Sequence, residues 1–391
     1  MLIANHTVNR RNFVRQLGLA TFALPSISLS FSSTSMAEPA IANAAALELE
    51  KSPLAHVQDR KLGVVLVGLG GYSTDQLAPA LKETKLCELK GVVTGSPDKA
   101  QKWKSKYGLE DKNIYNYENF DSIRDNPDID IVYVVLPNSM HAEYTIRAAK
   151  AGKHVICEKP MAVNVKEAEE MIEACKQADR LLSIGYRLHF EPYNLTMIKY
   201  REDKTFGELG KVYAMDGMKI EPGVWRLNKQ LAGGGPLMDV GIYCVQAAIY
   251  TTGMLPIAVT AKEGVKTDKD KFREVEQSMS WTLEFPHGVI AECTCSYAEQ
   301  MNSLRAEATK GWFALAPAYE YKGIKGKTST GKMDLPEVNQ QALQMDDFAR
   351  CVFTKSKSKV PGEMGLRDVK ILMAIYEASR TGEKVSLAHL G

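Results

Sequence analysis

Three residues carry the groups that a proton-transfer site requires: the amine of Lys159, the carboxylate of Asp239 and the phenol of Tyr243. Asp239 and Tyr243 stand four apart, so on a helix they project from one face. A neighbouring ammonium favours the charged form of a phenol, and a carboxylate orients a hydroxyl. Read alone, the pair also fits an ordinary helix face packed on a sheet. Lys159 ends the run His154-Val155-Ile156-Cys157-Glu158-Lys159-Pro160. A lysine just past a strand sits where open α/β sheets bind ligands. Pro160 restricts Lys159 to an extended backbone and admits a cis bond. An ordinary strand-to-helix turn with a surface lysine has the same composition.

The elements that must position these groups begin at Gly63-Val64-Val65-Leu66-Val67, a continuous apolar run of the kind buried on both faces of a sheet. Gly68-Leu69-Gly70-Gly71-Tyr72-Ser73 follows and leads into a helix through Lys82. The first glycine allows the tight turn, and the second lets a pyrophosphate approach the helix N-terminus. Ser73 stands where a third glycine is usual. The next strand, Leu86 to Thr94, ends without the acid that often holds a ribose 2′-hydroxyl. Ser96 and Lys99 follow, so the position accommodates a 2′-phosphate, while Ser96 and Pro97 also read as a helix N-cap and first residue. Further strands at Ile129–Leu136 and Leu181–Gly185, with helices after Pro137 and Val165, spell a parallel, doubly wound sheet.

From about residue 190 the pattern changes. Runs at 211–219, 257–265, 276–285, 288–297 and 303–309 alternate as open antiparallel strands do, and late helices are expected over 339–353 and 365–381. Leu231 to Tyr243 contains Gly233-Gly234-Gly235 before a helix, a place for close approach of backbone to ligand. The run Ile290 to Cys295 suggests apolar positions on both sheet faces, hence a homodimer or homotetramer through that sheet.

The chain has 391 residues, 45% hydrophobic and 25% charged, and a formal net charge of +2. That balance gives no reason to expect a nucleic-acid partner, and beyond the leader no stretch is long and apolar enough to expect a membrane span. Seven cysteines form no Cys-x-x-Cys and no metal spacing, so buried free thiols and no metal are expected, although export would permit a disulfide. Residues 1–37, with Asn9-Arg10-Arg11-Asn12-Phe13 before a modest apolar stretch, read as a twin-arginine export signal and hence a periplasmic destination. Residues 38–60 form an arm, 61–187 the nucleotide domain and 188–391 a substrate and assembly domain.

The sequence resembles the glucose–fructose oxidoreductase, inositol dehydrogenase and rhizopine-catabolism family, nearest to its glucose–fructose oxidoreductase branch. The resemblance is carried by Gly68-Leu69-Gly70, Leu136-Pro137-Asn138-Ser139-Met140-His141, Ala151 to Pro160, Ile184-Gly185-Tyr186-Arg187, Trp225-Arg226-Leu227, Leu231 to Tyr243 and Ala374-Ile375-Tyr376-Glu377-Ala378. It implies a Rossmann domain followed by an α+β domain with a large open, mainly antiparallel sheet. It implies NADP as cofactor, with Gly68, Leu69, Gly70, Gly71, Tyr72, Ser96, Lys99, Pro137, Asn138, His141, Glu158, Lys159, Arg187, Trp225 and Arg226 holding it. Lys159 would hydrogen-bond the reacting oxygen, Tyr243 would carry the proton and Asp239 would position a sugar. The arm departs from that branch, since it holds only Pro39 and Pro53 where a proline-rich clasp is usual. The implied activity is oxidation of an aldose with reduction of a second sugar in a ping-pong cycle. A simple sugar dehydrogenase, a redox-assisted glycoside hydrolase and a non-catalytic sensor on the same fold are the alternatives.

Overall fold

The computed structural model describes residues 60–390. The expected export signal and nearly all of the arm lie outside the described residues.

Six parallel strands form the first sheet: β1 Leu62–Val67, β2 Cys87–Val93, β3 Ile114–Tyr115, β4 Ile131–Val134, β5 His154–Cys157 and β6 Leu182–Ile184. Their spatial order is β3-β2-β1-β4-β5-β6, so the chain reverses direction across the sheet between β1 and β4. Crevices at such switch points are where doubly wound sheets bind ligands. The apolar run at β1 is buried throughout, as its composition demands. The connecting helices are α1 (residues 71–80), α2 Pro97–Tyr107, α3 His141–Lys150 and α4 Val165–Gln177. Ser96 caps α2 and Asn164 caps α4, each accepting a backbone N–H three residues on. β3 is a two-residue edge strand that the sequence pattern did not reveal.

After α5 (Pro192–Glu202) the chain builds a nine-stranded sheet from β7 Leu209–Gly217, β8 Ala258–Glu263, β9 Ser278–Glu284, β10 Ile290–Ser296, β11 Met301–Ala308, β12 Gly311–Leu315, β13 Gly326–Thr328, β14 Gly331–Met333 and β15 Val385–Ser386. The order is β14-β13-β12-β11-β7-β10-β9-β8-β15. All neighbours run antiparallel except β7 and β10, which lie parallel at the centre. The helix α6 (Ile242–Thr252) covers one face. Val212, Ala214 and Asp216 of β7 are buried on their strand's period of two, as are Ala291, Cys293 and Cys295 of β10. The alternate positions, Lys211, Tyr213, Glu292, Thr294, Arg305 and Trp312, form the open face. Lys211 pairs with Glu292 there, and Arg305 lies over the ring of Trp312. Ile290, Tyr213, Met215 and Trp312 stand among these polar groups, so apolar positions occur on both faces, the inner one being the more apolar. All seven cysteines are buried and unpaired with one another.

The boundary expected after residue 187 is crossed twice. α7 (Gln340–Thr354) returns to the first sheet, where Met345, Phe348 and Ala349 share a core with Val64, Leu66 and Trp103. Asp346 on α7 accepts the backbone N–H groups of Lys85 and Leu86 at 2.8–3.0 Å. α8 (Gly362–Thr381) packs against α4 and β8. A second core runs unbroken from Val65 and Val134 to Leu237, Val245 and Leu372. The two sheets are thus fixed relative to one another by shared packing, and the cleft between them has a defined shape.

Candidate active site

Gly68 lies at the end of β1 with φ +93°, a conformation that side chains rarely adopt, and a Cβ there would meet the Val135 carbonyl at 2.4 Å. Gly70 is the opposite case: nothing lies within 4 Å of where its Cβ would be, and the space is open. Gly71 and Tyr72 begin α1 behind it. The loop therefore presents an open cradle at a helix N-terminus, which fits a pyrophosphate. Ser73 is buried and donates its hydroxyl to the Gly68 carbonyl at 2.6 Å, so the departure from a third glycine braces the turn. β2 ends with no acid beside the loop. Lys99 Nζ lies 3.4 Å from the Leu69 carbonyl, and Thr94 and Ser96 close the turn between them. These residues fit the adenosine end of a nicotinamide dinucleotide.

Lys159 enters from the other side of the switch point, beyond β5. The Lys159–Pro160 bond is cis. The ammonium donates to the backbone carbonyl of Asp239 at 2.6 Å and lies 3.5 Å from its Oδ1. It also sits 4.5 Å from the centre of the Tyr243 ring. Asp239 lies in a wide helical turn, Leu237–Gly241, that runs into α6, and Tyr243 is the second residue of α6. The three residues singled out by type are therefore together, each partly accessible from the cleft.

Asp239 has a further set of partners. Arg226 Nε is 2.9 Å from its Oδ2, and the hydroxyl of Tyr297 donates to the same oxygen at 2.9 Å. Burial pushes the Asp239 carboxyl up, but Arg226, Lys159 and Tyr297 outweigh it and hold the group below the usual carboxylate range. Burial also pushes Lys159 down, and Tyr243, Asp239 and Glu158 more than restore it, so its charge is retained. Arg226 stacks on Trp225, with 4.7 Å from its guanidinium carbon to the ring centre. Both were expected to hold the cofactor; Arg226 also grips Asp239.

Several other expected cofactor residues are engaged within the chain. Asn138 Nδ2 donates to the Ala232 carbonyl at 2.8 Å, tying the end of β4 to the glycine-rich loop. His141 is buried, and its ring nitrogens face the carbonyls of Pro160 and Leu136 at 2.8 and 2.9 Å. It offers the cleft no free nitrogen. Glu158 turns inward, accepting from the Tyr133 hydroxyl at 2.8 Å and the Lys159 N–H at 3.2 Å. Arg187 is buried and bonds the Tyr319 and Glu320 carbonyls and Gln340. Its guanidinium lies over Tyr243 at 5.2 Å and Tyr321 at 4.4 Å. These four support the walls of the cleft, which they fix in place. Pro137 follows β4 and is half-buried.

The sequence reading missed Asp216, Tyr297, Tyr319 and Tyr321. Tyr319 stacks on Tyr243 at 5.9 Å, and Tyr321 packs against Tyr72 at 5.8 Å. Tyr297 follows the inward period of Cys293 and Cys295, and Asp216 that of Val212 and Ala214. A carboxylate on an inward apolar period was the signal available. Burial, with Asp239 adding to it, pushes Asp216 up to about 8 against the pull of Lys159 and Arg187. Two carboxyls of one site are thus driven apart, one charged and one neutral at neutral pH.

Two family models match the chain, described as the oxidoreductase family with an NAD-binding Rossmann fold over residues 62–186 and the GFO/IDH/MocA C-terminal domain over 196–314. The structure of an aldose-aldose oxidoreductase from Caulobacter crescentus, complexed with glycerol, is 42% identical with a TM-score of 0.82, covering 84% of this chain and all of that one. The D-xylose 1-dehydrogenase [NADP(+)] of Haloarcula marismortui is 29% identical over 84% of this chain and 94% of its own length. The D-glucoside 3-dehydrogenase of Escherichia coli is 28% identical over 83% and 97%.

Asp216 generates a stability test. An acid with a raised folded pKa keeps its proton where the unfolded chain has lost it, so its contribution is present below the unfolded value, about 4, and is lost as the pH rises to about 8. Wild type should therefore lose stability relative to Asp216→Asn across that window, measured as urea midpoints at several pH values. Parallel curves would contradict the assignment.

Proposed function

Since the chain belongs to the GFO/IDH/MocA oxidoreductase family and is a sugar oxidoreductase that uses a nicotinamide cofactor, we propose that its cofactor is NADP and that it couples oxidation of one aldose to reduction of a second sugar. The observation that carries this is the convergence of Lys159, Asp239 and Tyr243 across the switch point from the glycine cradle. Bound NADP would supply hydride acceptance and return. Tyr243 removes the proton from the sugar hydroxyl whose carbon loses hydride, and in the reverse half it gives that proton to the carbonyl of the second sugar. Lys159 holds the reacting oxygen and stabilises negative charge on it or on Tyr243. Asp239, with Arg226 and Tyr297, orients the neighbouring hydroxyls. An aldose leaves as its lactone, and the acceptor leaves with one more hydride and one more proton. The 42% identity to an aldose-aldose oxidoreductase favours an aldose as acceptor beside the ketose suggested by the sequence.

The preference for NADP is supported by the missing acid after β2 and by Lys99 beside the loop. A periplasmic location is supported by the twin-arginine stretch at residues 9–13. An exported enzyme has little access to free nucleotide, so it would carry its cofactor out already bound. We also propose assembly of copies through the open face of the nine-stranded sheet, where Tyr213, Met215 and Trp312 interrupt polar neighbours.

Titration of the apoprotein should show tighter binding of NADP than of NAD; equal or tighter NAD binding would contradict the cofactor assignment. Tyr243→Phe keeps the ring and removes the proton carrier, so turnover should fall roughly a hundred- to ten-thousand-fold with sugar affinity little changed. Near wild-type turnover would eliminate Tyr243 from the role. Initial rates with both sugars varied should give parallel double-reciprocal lines while NADP survives gel filtration. Intersecting lines that need added NADP would mark an ordinary dehydrogenase.

A further inference from the structure

The three glycines before Asp239 are shaped by the protein itself. A Cβ on Gly233 would stand 2.7 Å from the Val163 side chain, on Gly234 2.0 Å from the Tyr376 hydroxyl, and on Gly235 2.5 Å from the Glu276 carbonyl. Behind Gly234 and Gly235 lies a buried pair from distant parts of the chain. Glu276, just ahead of β9, accepts the N–H groups of Gly235 at 2.9 Å and Leu237 at 3.2 Å. Tyr376 of α8 donates its hydroxyl to the same carboxylate at 2.8 Å. Glu276 is 5% exposed. Burial pushes its carboxyl up, and Tyr376 and the backbone amides pull against that. The amides it takes belong to the opening of the Leu237–Gly241 turn, where N–H groups have no partner within the helix.

We infer that Glu276 and Tyr376 form a positioning pair that sets the direction in which the helix delivers Asp239 and Tyr243 into the cleft. The hydrogen bonds of Glu276 and Tyr376 go to Gly235, Leu237 and each other, one step removed from Asp239 and Tyr243. Leu237 is held directly, Asp239 is two residues on and Tyr243 six. A tilt of about 5° at Leu237 becomes about 0.8 Å at Tyr243, about 9 Å along the axis. Misplacement on that scale can cost about a hundredfold in rate. The inference rests on Tyr243 as proton carrier. It also gives a role to the Ala374-Ile375-Tyr376 segment, which the sequence marked without assigning it one.

The test compares wild type, Glu276→Gln, Tyr376→Phe, the double variant and Tyr243→Phe as purified, NADP-loaded protein. Four quantities are read: melting temperature, NADP content, sugar KM and single-turnover rate. Glu276→Gln should lower the rate about tenfold and Tyr376→Phe severalfold, with KM and NADP content within twofold of wild type. The double variant should lose less than the product of the two. Should Glu276→Gln fail to fold, Tyr376→Phe, which lacks a single hydroxyl, decides alone. Wild-type rates in the folded variants overturn the pair's role. So does a loss in which KM, NADP content and melting temperature deteriorate together. An unimpaired Tyr243→Phe overturns the assignment on which the inference rests, and is read separately.

Discussion

The site depends on one ammonium. Lys159 leaves the first sheet and finds its partners on the helix that caps the second: the backbone and carboxylate of Asp239 and the ring of Tyr243. A charge taken this far from water requires compensation, and the negative groups around it supply it. Remove the lysine and Asp239 keeps Arg226 and Tyr297, but the phenol loses the cation nearest its ring. The same contact joins the cradle side of the cleft to the sugar side. In the proposed chemistry a hydroxyl loses its proton as its carbon loses hydride, so the elements carrying each half cannot drift.

Packing enforces this. α7 returns to the first sheet and α8 to α4, so these last two helices lock the two sheets together. The walls nearest the cleft are tied by polar groups that recognise the chain itself. Arg187 reads the carbonyls of the loop that carries Tyr319 and Tyr321, and Asn138 reads the carbonyl before the three glycines. Asn302 accepts from the Ala318 and Tyr319 amides, holding that loop from the sheet side. Such groups cost free energy if left unpaired, and here they are spent on geometry. The split between a charged Asp239 and a neutral Asp216 follows from the same arrangement, since Arg226 and Tyr297 reach only one of them.

The convergence of Lys159, Asp239 and Tyr243 was legible because their types and spacing are unusual. Lys159 follows an apolar strand, and Asp239 and Tyr243 share a helical face. β1 and its glycine loop were legible from a buried run followed by a turn that only glycine makes. What stayed hidden arises from tertiary contact. Nothing local says that Arg226 grips Asp239, that both His141 nitrogens face backbone carbonyls, or that Glu276 meets Tyr376 across a hundred residues. The glycines at 233–235 were read as room for a ligand, whereas side chains from elsewhere already fill the space behind them. β3, β13 and β14 are two or three residues long, too short to set a period. β10 turns Ala291, Cys293 and Cys295 inward and Glu292 and Thr294 outward, a direction that only the sheet defines.

The central claim is that this cleft moves a hydride from a sugar to a nucleotide that the protein already holds, and the proton to Tyr243. The most direct measurement is the ultraviolet spectrum of the purified protein, with no nucleotide in the buffer, before and after adding an aldose. The account predicts that the reduced-nicotinamide band rises in proportion to the protein present, then falls when a second carbonyl sugar is added. A spectrum that stays flat on sugar addition, in protein shown to contain oxidised NADP, would contradict it.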